Sequence, residues 1–527
     1  MRTFPFASLL ASLLAALPVA QSPSERLAAI CSGSGGLARL GRLGDSAGGR
    51  PIDVVTIAGD GERPVNERPA VLVVAGVDGR MRLCTELAIA HVEYLVRDHR
   101  AGHEATRKLL AERVVWVVPL LNPDGTALER SGNARALDLD RDGRSDEDAP
   151  RDLDGDGVIA QMRWPDPDGE WLIDQKDVRI MRKADKKAGE RGTHQLAPEA
   201  ADADGDRERG EDPGMGVQIA RNFAQRHTEF AREAGPFPMS EPETRALADF
   251  VLAHRNVSTA VVWDRDDVLL ATPKAGEAKP RQQFDGIHSG DVLLFERTGK
   301  LYRDRTRRSG ESTPRMDGST WSWLYAQLGI PTFASDVWRV PRGGKEGEVE
   351  ISDDQARLRA CETAGHGYVA WHAFRHPQLG DVELGGFVAD RDFSLCNADE
   401  RSTVFAAHHG FLLEVCAMGS KVAIRSLTAE ALGGGATRLK AVIVNDGDWP
   451  TLCAMADHTR RYVTGRVRLV LGGASLVAGE VQQTLPVLDA LGGKREYEWV
   501  VTGASGTRIR VELAMEPAGR MVKEVTL

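Results

Sequence analysis

Apolar residues follow two different spacings in the first part of the chain. Continuous apolar runs at 70–75 and 114–121 are typical of buried strands, and the first of them is followed by Gly76. From Glu86 onward, apolar residues recur at the spacing of a helix. Strand, helix and strand in this order predict an α/β layer architecture.

Later segments continue the same pattern. The run 241–253 predicts a helix in which Ser240 is the N-cap and Glu243 completes a capping box. Two strand-like runs and a further helix-like stretch follow, at 258–263, 331–338 and 321–328. We therefore expect one α/β domain that extends from residue 21 to about residue 378.

The pattern changes after Pro377, where short alternating strands are separated by Gly and Asp turns. A chain of 527 residues exceeds what one hydrophobic core normally organises. We therefore predict a second domain over 379–527, a small β-sandwich, which includes the alternating run at 382–387.

The N-terminus has the features of an export signal. Arg2 is followed by an apolar run that reaches Leu17, and small residues follow near Ala20. A membrane anchor is the alternative, but the run is shorter than the roughly 20 apolar residues that a spanning helix needs. We predict a signal peptide over 1–20, an extracellular or periplasmic protein, and no membrane span.

Charge and cysteine content narrow the function classes. The net charge of −10 argues against a nucleic-acid-binding protein, because such proteins carry basic patches. Six cysteines are scattered without metal-ligand spacing, so they predict neither a metal site nor a disulfide pairing.

An acidic insert lies at about 133–214. It contains two runs of alternating aspartates, each ending in Gly, and these are Asp138, Asp140 and Asp142, and Asp152, Asp154 and Asp156. Calcium loops use this arrangement to surround the cation with oxygen atoms. Neither run has the Glu of an EF-hand at its twelfth position, so calcium binding and a solvated acidic loop both stay open.

Several segments, taken in order, resemble the carboxypeptidase A-like zinc carboxypeptidase family, in a bacterial type with an acidic insert and a C-terminal β domain. They are Gly76–Met81, Asn122–Gly125, Gly216–Phe223, Ser240–Thr244, Gly318–Gly329 and Ala334–Trp338. The resemblance implies a mixed, twisted sheet flanked by helices. It also implies removal of C-terminal residues from peptides by a zinc-bound water.

The residues at the metal positions depart from the family. The His-x-x-Glu pair falls on Asp78 and Met81, the second His falls on Asp264, and the general-base Glu falls on Asp336. A thioether is a soft ligand that suits copper better than zinc. We therefore expect that zinc, the cofactor of the family, has been lost.

The resemblance also assigns substrate-binding positions. Arg221 matches the arginine that binds the terminal carboxylate, although its usual Asn partner is Ala220 here, and Arg135 is the candidate for stabilising the oxyanion. A structural ion pair is the alternative for both arginines. We expect peptide or protein C-termini as partners.

Convergence of Asp78, Asp264 and Asp336 would require compensation, because like charges at close range cannot all stay ionised. A hard cation such as calcium or magnesium could supply it. So could the arginines that are near in sequence, which are Arg80, Arg82, Arg265 and Arg339. The leading hypothesis is an exported family protein that has lost zinc hydrolysis and keeps peptide binding. The alternatives are an active metallocarboxypeptidase with unusual ligands and a calcium-stabilised extracellular binding module.

Overall fold

The structure of the protein, a computed structural model, describes residues 21–138, 143–146, 149–202, 214–279, 283–310, 312–341, 351–388 and 395–527. The predicted signal peptide at 1–20 and the candidate calcium ligands Asp140 and Asp142 lie outside the described residues. Within the described part, no helix is both long enough and apolar enough to cross a membrane.

The helices, in chain order, are α1 (Pro23–Gly33), α2 (Arg82–Arg100), α3 (Glu104–Glu112), α4 (Pro123–Ala127), α5 (Pro242–Ala253), α6 (Val292–Thr306), α7 (Thr320–Ser322), α8 (Asp353–Ala364), α9 (Ala398–Met418) and α10 (Ala454–Thr459). A π-helical stretch, Trp323–Gln327, continues α7.

The strands of the first half are β1 (Ala38–Asp45), β2 (Pro51–Ile57), β3 (Ala70–Ala75), β4 (Val114–Val118), β5 (Gln161–Pro165), β6 (Trp171–Ile173), β7 (Met181–Lys183), β8 (His194–Pro198), β9 (Val257–Trp263), β10 (Ala275–Gly276), β11 (Ile287–His288) and β12 (Thr332–Ser335). Those of the second half are β13 (Tyr368–His376), β14 (Gly380–Phe387), β15 (Val422–Gly433), β16 (Ala436–Asn445), β17 (Gly465–Val470), β18 (Ser475–Ala478), β19 (Gln482–Leu485), β20 (Gly493–Thr502), β21 (Arg508–Met515) and β22 (Gly519–Thr526).

A mixed six-stranded sheet forms the centre of the first domain, in the order β1-β2-β4-β3-β9-β12. Strands β4, β3, β9 and β12 run parallel, and all residues of β3 and β4 are buried, which explains their continuous apolar runs. Because parallel strands end at the same edge of a sheet, the loops that follow β3, β9 and β12 meet there.

A second sheet combines the acidic insert with a later hairpin, in the order β13-β14-β5-β8-β6-β7. Strand β14 pairs with β13 and with β5 of the insert. Its hydrogen bonds therefore connect residues 380–387 to the first domain, and the C-terminal sheets begin at Val422.

The C-terminal domain is a β-sandwich of two four-stranded sheets, β15-β16-β20-β18 and β19-β17-β21-β22, around its own apolar core. It packs against the first domain: the Tyr462 hydroxyl donates to the carbonyl of Val257 at 2.7 Å. Val257 begins β9, so this contact lies at the opposite end of the strand from the converging loops. The predicted fold class, α/β followed by a β-sandwich, is confirmed.

The capping box predicted from Ser240 and Glu243 is not formed, and that prediction is wrong. The N-cap residue of α5 is Glu241, and no side chain caps the helix there. The Glu243 carboxylate instead accepts hydrogen bonds from the Ala47 backbone at 3.0 Å and from Asn133 at 3.2 Å. Because Glu243 is buried, these distant partners satisfy it in place of the helix terminus.

Candidate functional site

The loop after β3 positions the first aspartate. Gly76 has a φ of +59°, and a Cβ there would lie 2.6 Å from the Thr85 hydroxyl, so the turn requires glycine. Asp78 follows, is only 6% exposed, and accepts a hydrogen bond from the Arg80 backbone at 2.9 Å. Met81 occupies the N-cap position of α2 and packs against the core.

The loops after β9 and β12 supply two further buried aspartates. Asp264 follows β9 directly, and its backbone nitrogen donates to the carbonyl of Ser335 at 3.0 Å. Asp336 follows Ser335, the last residue of β12. Burial, with the nearby carboxylates of Asp264, Asp336 and Asp78, raises the pKa of the Cys84 thiol. Ala75 pairs with Trp263, and Trp263 pairs with Ser335, so the loops that follow these strands start side by side. The three predicted aspartates therefore lie together, and we call them the acid centre.

Arginines neutralise two members of the acid centre. Arg265 forms an ion pair with Asp78, and both Arg308 and Arg339 form ion pairs with Asp336. Arg265 and Arg339 were predicted as partners from their nearness in sequence. The ion-pair solution to the clustered charge is therefore found among the described residues.

Arg308 is an arginine of the acid centre that the sequence did not reveal. It follows the C-terminal end of α6 and is nearly buried, and its guanidinium lies 3.6 Å from the carboxylate of Asp267. It also donates to the Tyr302 hydroxyl at 2.7 Å and to the Ser335 hydroxyl at 3.3 Å. Tyr302 and Ser335 thus hold the guanidinium in place for Asp336.

Asp264 lacks a comparable partner. Its Oδ1 atom is buried and has no hydrogen-bond partner among the described residues. Burial and the neighbouring carboxylates of Asp78 and Asp266 raise the pKa of Asp264 to about 8. The carboxyl group is therefore largely protonated at neutral pH.

The acid centre does not fit a zinc ion. Catalytic zinc sites take mainly imidazole nitrogens, often with one carboxylate, whereas the three predicted metal positions hold Asp78, Met81 and Asp264. Among the described residues, the one group of three His, Cys, Asp or Glu side chains with ligand atoms within 4.8 Å of one another lies elsewhere. The carboxylate of Asp78 is also already bound to a guanidinium.

The two candidate substrate arginines have different surroundings. Arg221 ends a 3₁₀ turn, is partly buried, and donates to the carbonyl of Asp317 at 3.0 Å. No carboxylate partner of Arg221 occurs in the described part of the chain. Arg135 pairs with the fully buried Glu241 at 2.9 Å. Arg135 therefore forms a structural ion pair, and a substrate role for Arg135 stays a prediction.

The acidic loop, defined as Asp152, Asp154 and Asp156, is the group whose ligand atoms lie within 4.8 Å of one another. Asp152 accepts hydrogen bonds from the backbone nitrogens of Gly155 and Gly157, and these lower its pKa. His372 lies 2.8 Å from the carboxylate of Asp154. In the other run, Asp138 accepts from the Gly143 backbone at 3.1 Å.

A sequence model of the family described as zinc carboxypeptidase matches residues 27–344, which is more than half of the chain. The chain belongs to the zinc carboxypeptidase family. A second model, of a domain of unknown function, matches residues 421–526, which span the sandwich.

Curated proteins that resemble this chain match only a short segment of it. Carboxypeptidase D of Anas platyrhynchos is 33% identical over 115 residues, which are 20% of this chain and 8% of that protein. Carboxypeptidase D of Mus musculus is 31% identical over 140 residues, 24% of this chain and 10% of that protein. The matched segment thus corresponds to about a tenth of these relatives.

Solved structures of similar proteins include carboxypeptidase A from Helicoverpa armigera, with a TM-score of 0.37 and 12% identity over 74% of this chain and 71% of that chain. Another is a murein-tripeptide amidase from Escherichia coli O157, with a TM-score of 0.25 and 18% identity over 60% of this chain and 86% of that chain.

Proposed function

We propose that this member of the zinc carboxypeptidase family is exported and binds peptide or protein C-termini without hydrolysing them. The observation that carries the proposal is the ion pair between Asp78 and Arg265. Asp78 occupies the first metal position of the family, and its carboxylate binds a guanidinium there. Zinc hydrolysis needs a metal with an open coordination position that activates a water. The acid centre lacks the donors for such an ion.

Arg221 supports the binding half of the proposal. Its guanidinium is held by the carbonyl of Asp317, and no described carboxylate neutralises it. A guanidinium binds a carboxylate through two parallel hydrogen bonds, which a C-terminal amide cannot reproduce. Arg221 would therefore select chains that end in a free carboxylate.

Calorimetry with matched peptides tests this binding. Peptides with a free C-terminus should bind at least about 10-fold more tightly than the same peptides with a C-terminal amide. Arg221→Gln should abolish the difference, whereas Arg232→Gln, at an exposed arginine in the same segment, should preserve it. Equal binding of acid and amide by the unmodified protein would contradict the proposal.

Activity assays separate this function from an active metallocarboxypeptidase with unusual ligands. Without an activated water, Asp336 contributes at most the roughly 10²–10⁴-fold of general-base catalysis. We expect no release of C-terminal residues, with or without added zinc. Chelator-sensitive release would favour the active enzyme.

The geometry of the acidic loop favours a second role, in which calcium stabilises an extracellular binding module. The loop's three ligand atoms within 4.8 Å of one another suit a hard cation. Millimolar calcium should then raise the melting temperature above the value measured in chelator, and the double variant Asp152→Asn, Asp154→Asn should not show this increase.

N-terminal sequencing of protein recovered outside the cytoplasm tests the proposed export.

A further inference from the structure

We propose that Arg265 is a counter-ion built into the protein in place of a metal, so that a neutral side chain at this position would turn Asp78 and Asp264 into a site for a hard divalent cation. This inference rests on the proposed loss of zinc. It goes further by assigning one side chain the task of excluding cations from the acid centre.

The position of Arg265 carries the first step. Its Nε donates to the Asp78 carboxylate, and its Nη2 lies 3.5 Å from the Ser131 hydroxyl. The Arg265 side chain is 49% exposed, whereas that of Asp78 is 6% exposed. The guanidinium therefore lies between Asp78 and solvent, and a cation that approached Asp78 would have to displace it.

Asp264 supplies an independent observation. It is 3% exposed, and its Oδ1 has no hydrogen-bond partner among the described residues. A buried carboxyl oxygen without a hydrogen-bond partner is unfavourable, and a cation is one of the few partners that could satisfy it. Asp78 and Asp264 thus contain oxygen ligands that a single guanidinium satisfies only in part.

Three other arginines lie near the acid centre. Arg308 and Arg339 pair with Asp336, and the Nε of Arg80 donates to the carbonyl of Glu129. Burial lowers the pKa of Arg80, and the nearby Asp78 carboxylate opposes that shift. Loss of Arg265 would remove the guanidinium whose Nε donates to Asp78. The negative charge of the acid centre would then be less fully compensated, which favours binding of a cation.

The chemistry of the ligands selects the cation. Carboxylate oxygens suit magnesium, calcium and manganese, and magnesium is often bound by one or two carboxylates and several waters. Manganese is the most direct probe, because the free ion is counted by its electron paramagnetic resonance signal. We expect a site made of Asp78, Asp264 and waters.

The experiment compares Arg265→Met, Arg265→Lys and the unmodified protein in manganese titrations. Arg265→Met should bind one additional manganese ion per chain, at least about 100-fold more tightly than the other two, because a nearby positive charge has been removed. Manganese should also raise the melting temperature of Arg265→Met more than that of Arg265→Lys. The acidic loop is common to all three proteins, so their difference reports on residue 265.

Two further variants keep the test decisive. Arg265→Gln is neutral and can still donate to Asp78, so it replaces Arg265→Met if that variant does not fold. Adding Asp264→Asn to the neutral variant should remove the extra manganese ion. Identical titrations for the neutral, lysine and unmodified proteins would overturn the inference. Stoichiometric zinc in the unmodified protein would instead refute the proposed function.

Discussion

The acid centre and the acidic loop both place three aspartates close together, yet they balance the negative charge in different ways. In the loop, the backbone nitrogens of Gly155 and Gly157 donate to Asp152, and none of the three aspartates is buried. In the acid centre all three aspartates are buried, and arginines pair with Asp78 and Asp336.

The difference teaches that burial, more than the number of carboxylates, decides how clustered charge is compensated. An exposed carboxylate keeps most of its hydration, so its hydrogen bonds and ion pairs contribute little to stability. A buried one loses hydration and becomes strongly unfavourable when its partner is removed. The following predictions rank substitutions by this principle.

The largest effect should come from Arg308, whose side chain is 15% exposed and serves Asp336 and Asp267. Arg308→Met should reduce the free energy of unfolding by about 3–5 kcal/mol, because the buried carboxylates of Asp267 and Asp336 both lose this guanidinium and Asp336 then depends on the more exposed Arg339. Denaturant unfolding measures this loss. Arg339→Met, at a side chain 48% exposed, is the control and should cost clearly less; equal losses would contradict the role of burial.

Buried histidines extend the comparison between the acid centre and the acidic loop to basic groups. They are titratable, and burial disfavours their charged form. The Nδ1 atoms of His91 and His409 lie 2.7 Å apart between α2 and α9, and His91 also contacts the ring of Trp263. Burial lowers the pKa of His409 to about 4 despite Asp98, and it lowers the pKa of His91 as well.

These histidines should make the protein sensitive to acid. Their folded pKa values lie below the unfolded value of about 6.5, so their contribution to stability is complete above that pH and is lost as pH falls toward 4. For His409 we expect a loss of about 2–3 kcal/mol between pH 7 and pH 4.5. His409→Gln should flatten this part of the profile, and an unchanged slope would refute the assignment.

Asp264 should show the opposite dependence on pH. Its folded pKa of about 8 exceeds the unfolded value, so the folded state retains a proton and the stability that it contributes falls as pH rises from about 4 to 8. Asp264→Asn removes this penalty, and we expect its gain in stability to be about 2–3 kcal/mol larger at pH 7 than at pH 5. Unfolding of Asp156→Asn at both pH values is the control, and a gain independent of pH would contradict the argument.

The smallest effect should come from the acidic loop. Asp152→Asn keeps an oxygen acceptor for only one of the two backbone nitrogens, Gly155 or Gly157. The other nitrogen can hydrogen-bond to water because the loop is exposed, and exposed substitutions rarely change stability. In chelator, its melting temperature should match that of the unmodified protein. A clear decrease would show that the loop contributes to stability as strongly as the acid centre does.

Much of the fold follows from local patterns. The buried runs at β3 and β4 and the helical spacing of α2 were sufficient for the α/β layer, because each depends on nearby residues. The pairing of β14 with β5 of the insert could not be predicted, since its partner lies far away along the chain.

The site shows the same limit. Asp78, Asp264 and Asp336 were located through the resemblance, and Arg265 and Arg339 through their nearness in sequence. Arg308 was missed because it reaches Asp336 from the end of α6 and is fixed by Tyr302, a contact with no local signal. The pairing of His91 with His409 is likewise visible only in three dimensions.

The most direct test of the central claim is the zinc content of the unmodified protein after equilibration with zinc and dialysis. Because Arg265 pairs with Asp78 and no imidazole occupies a metal position, we predict far less than one zinc per chain. One tightly held zinc per chain, with chelator-sensitive release of C-terminal residues from peptides, would contradict it.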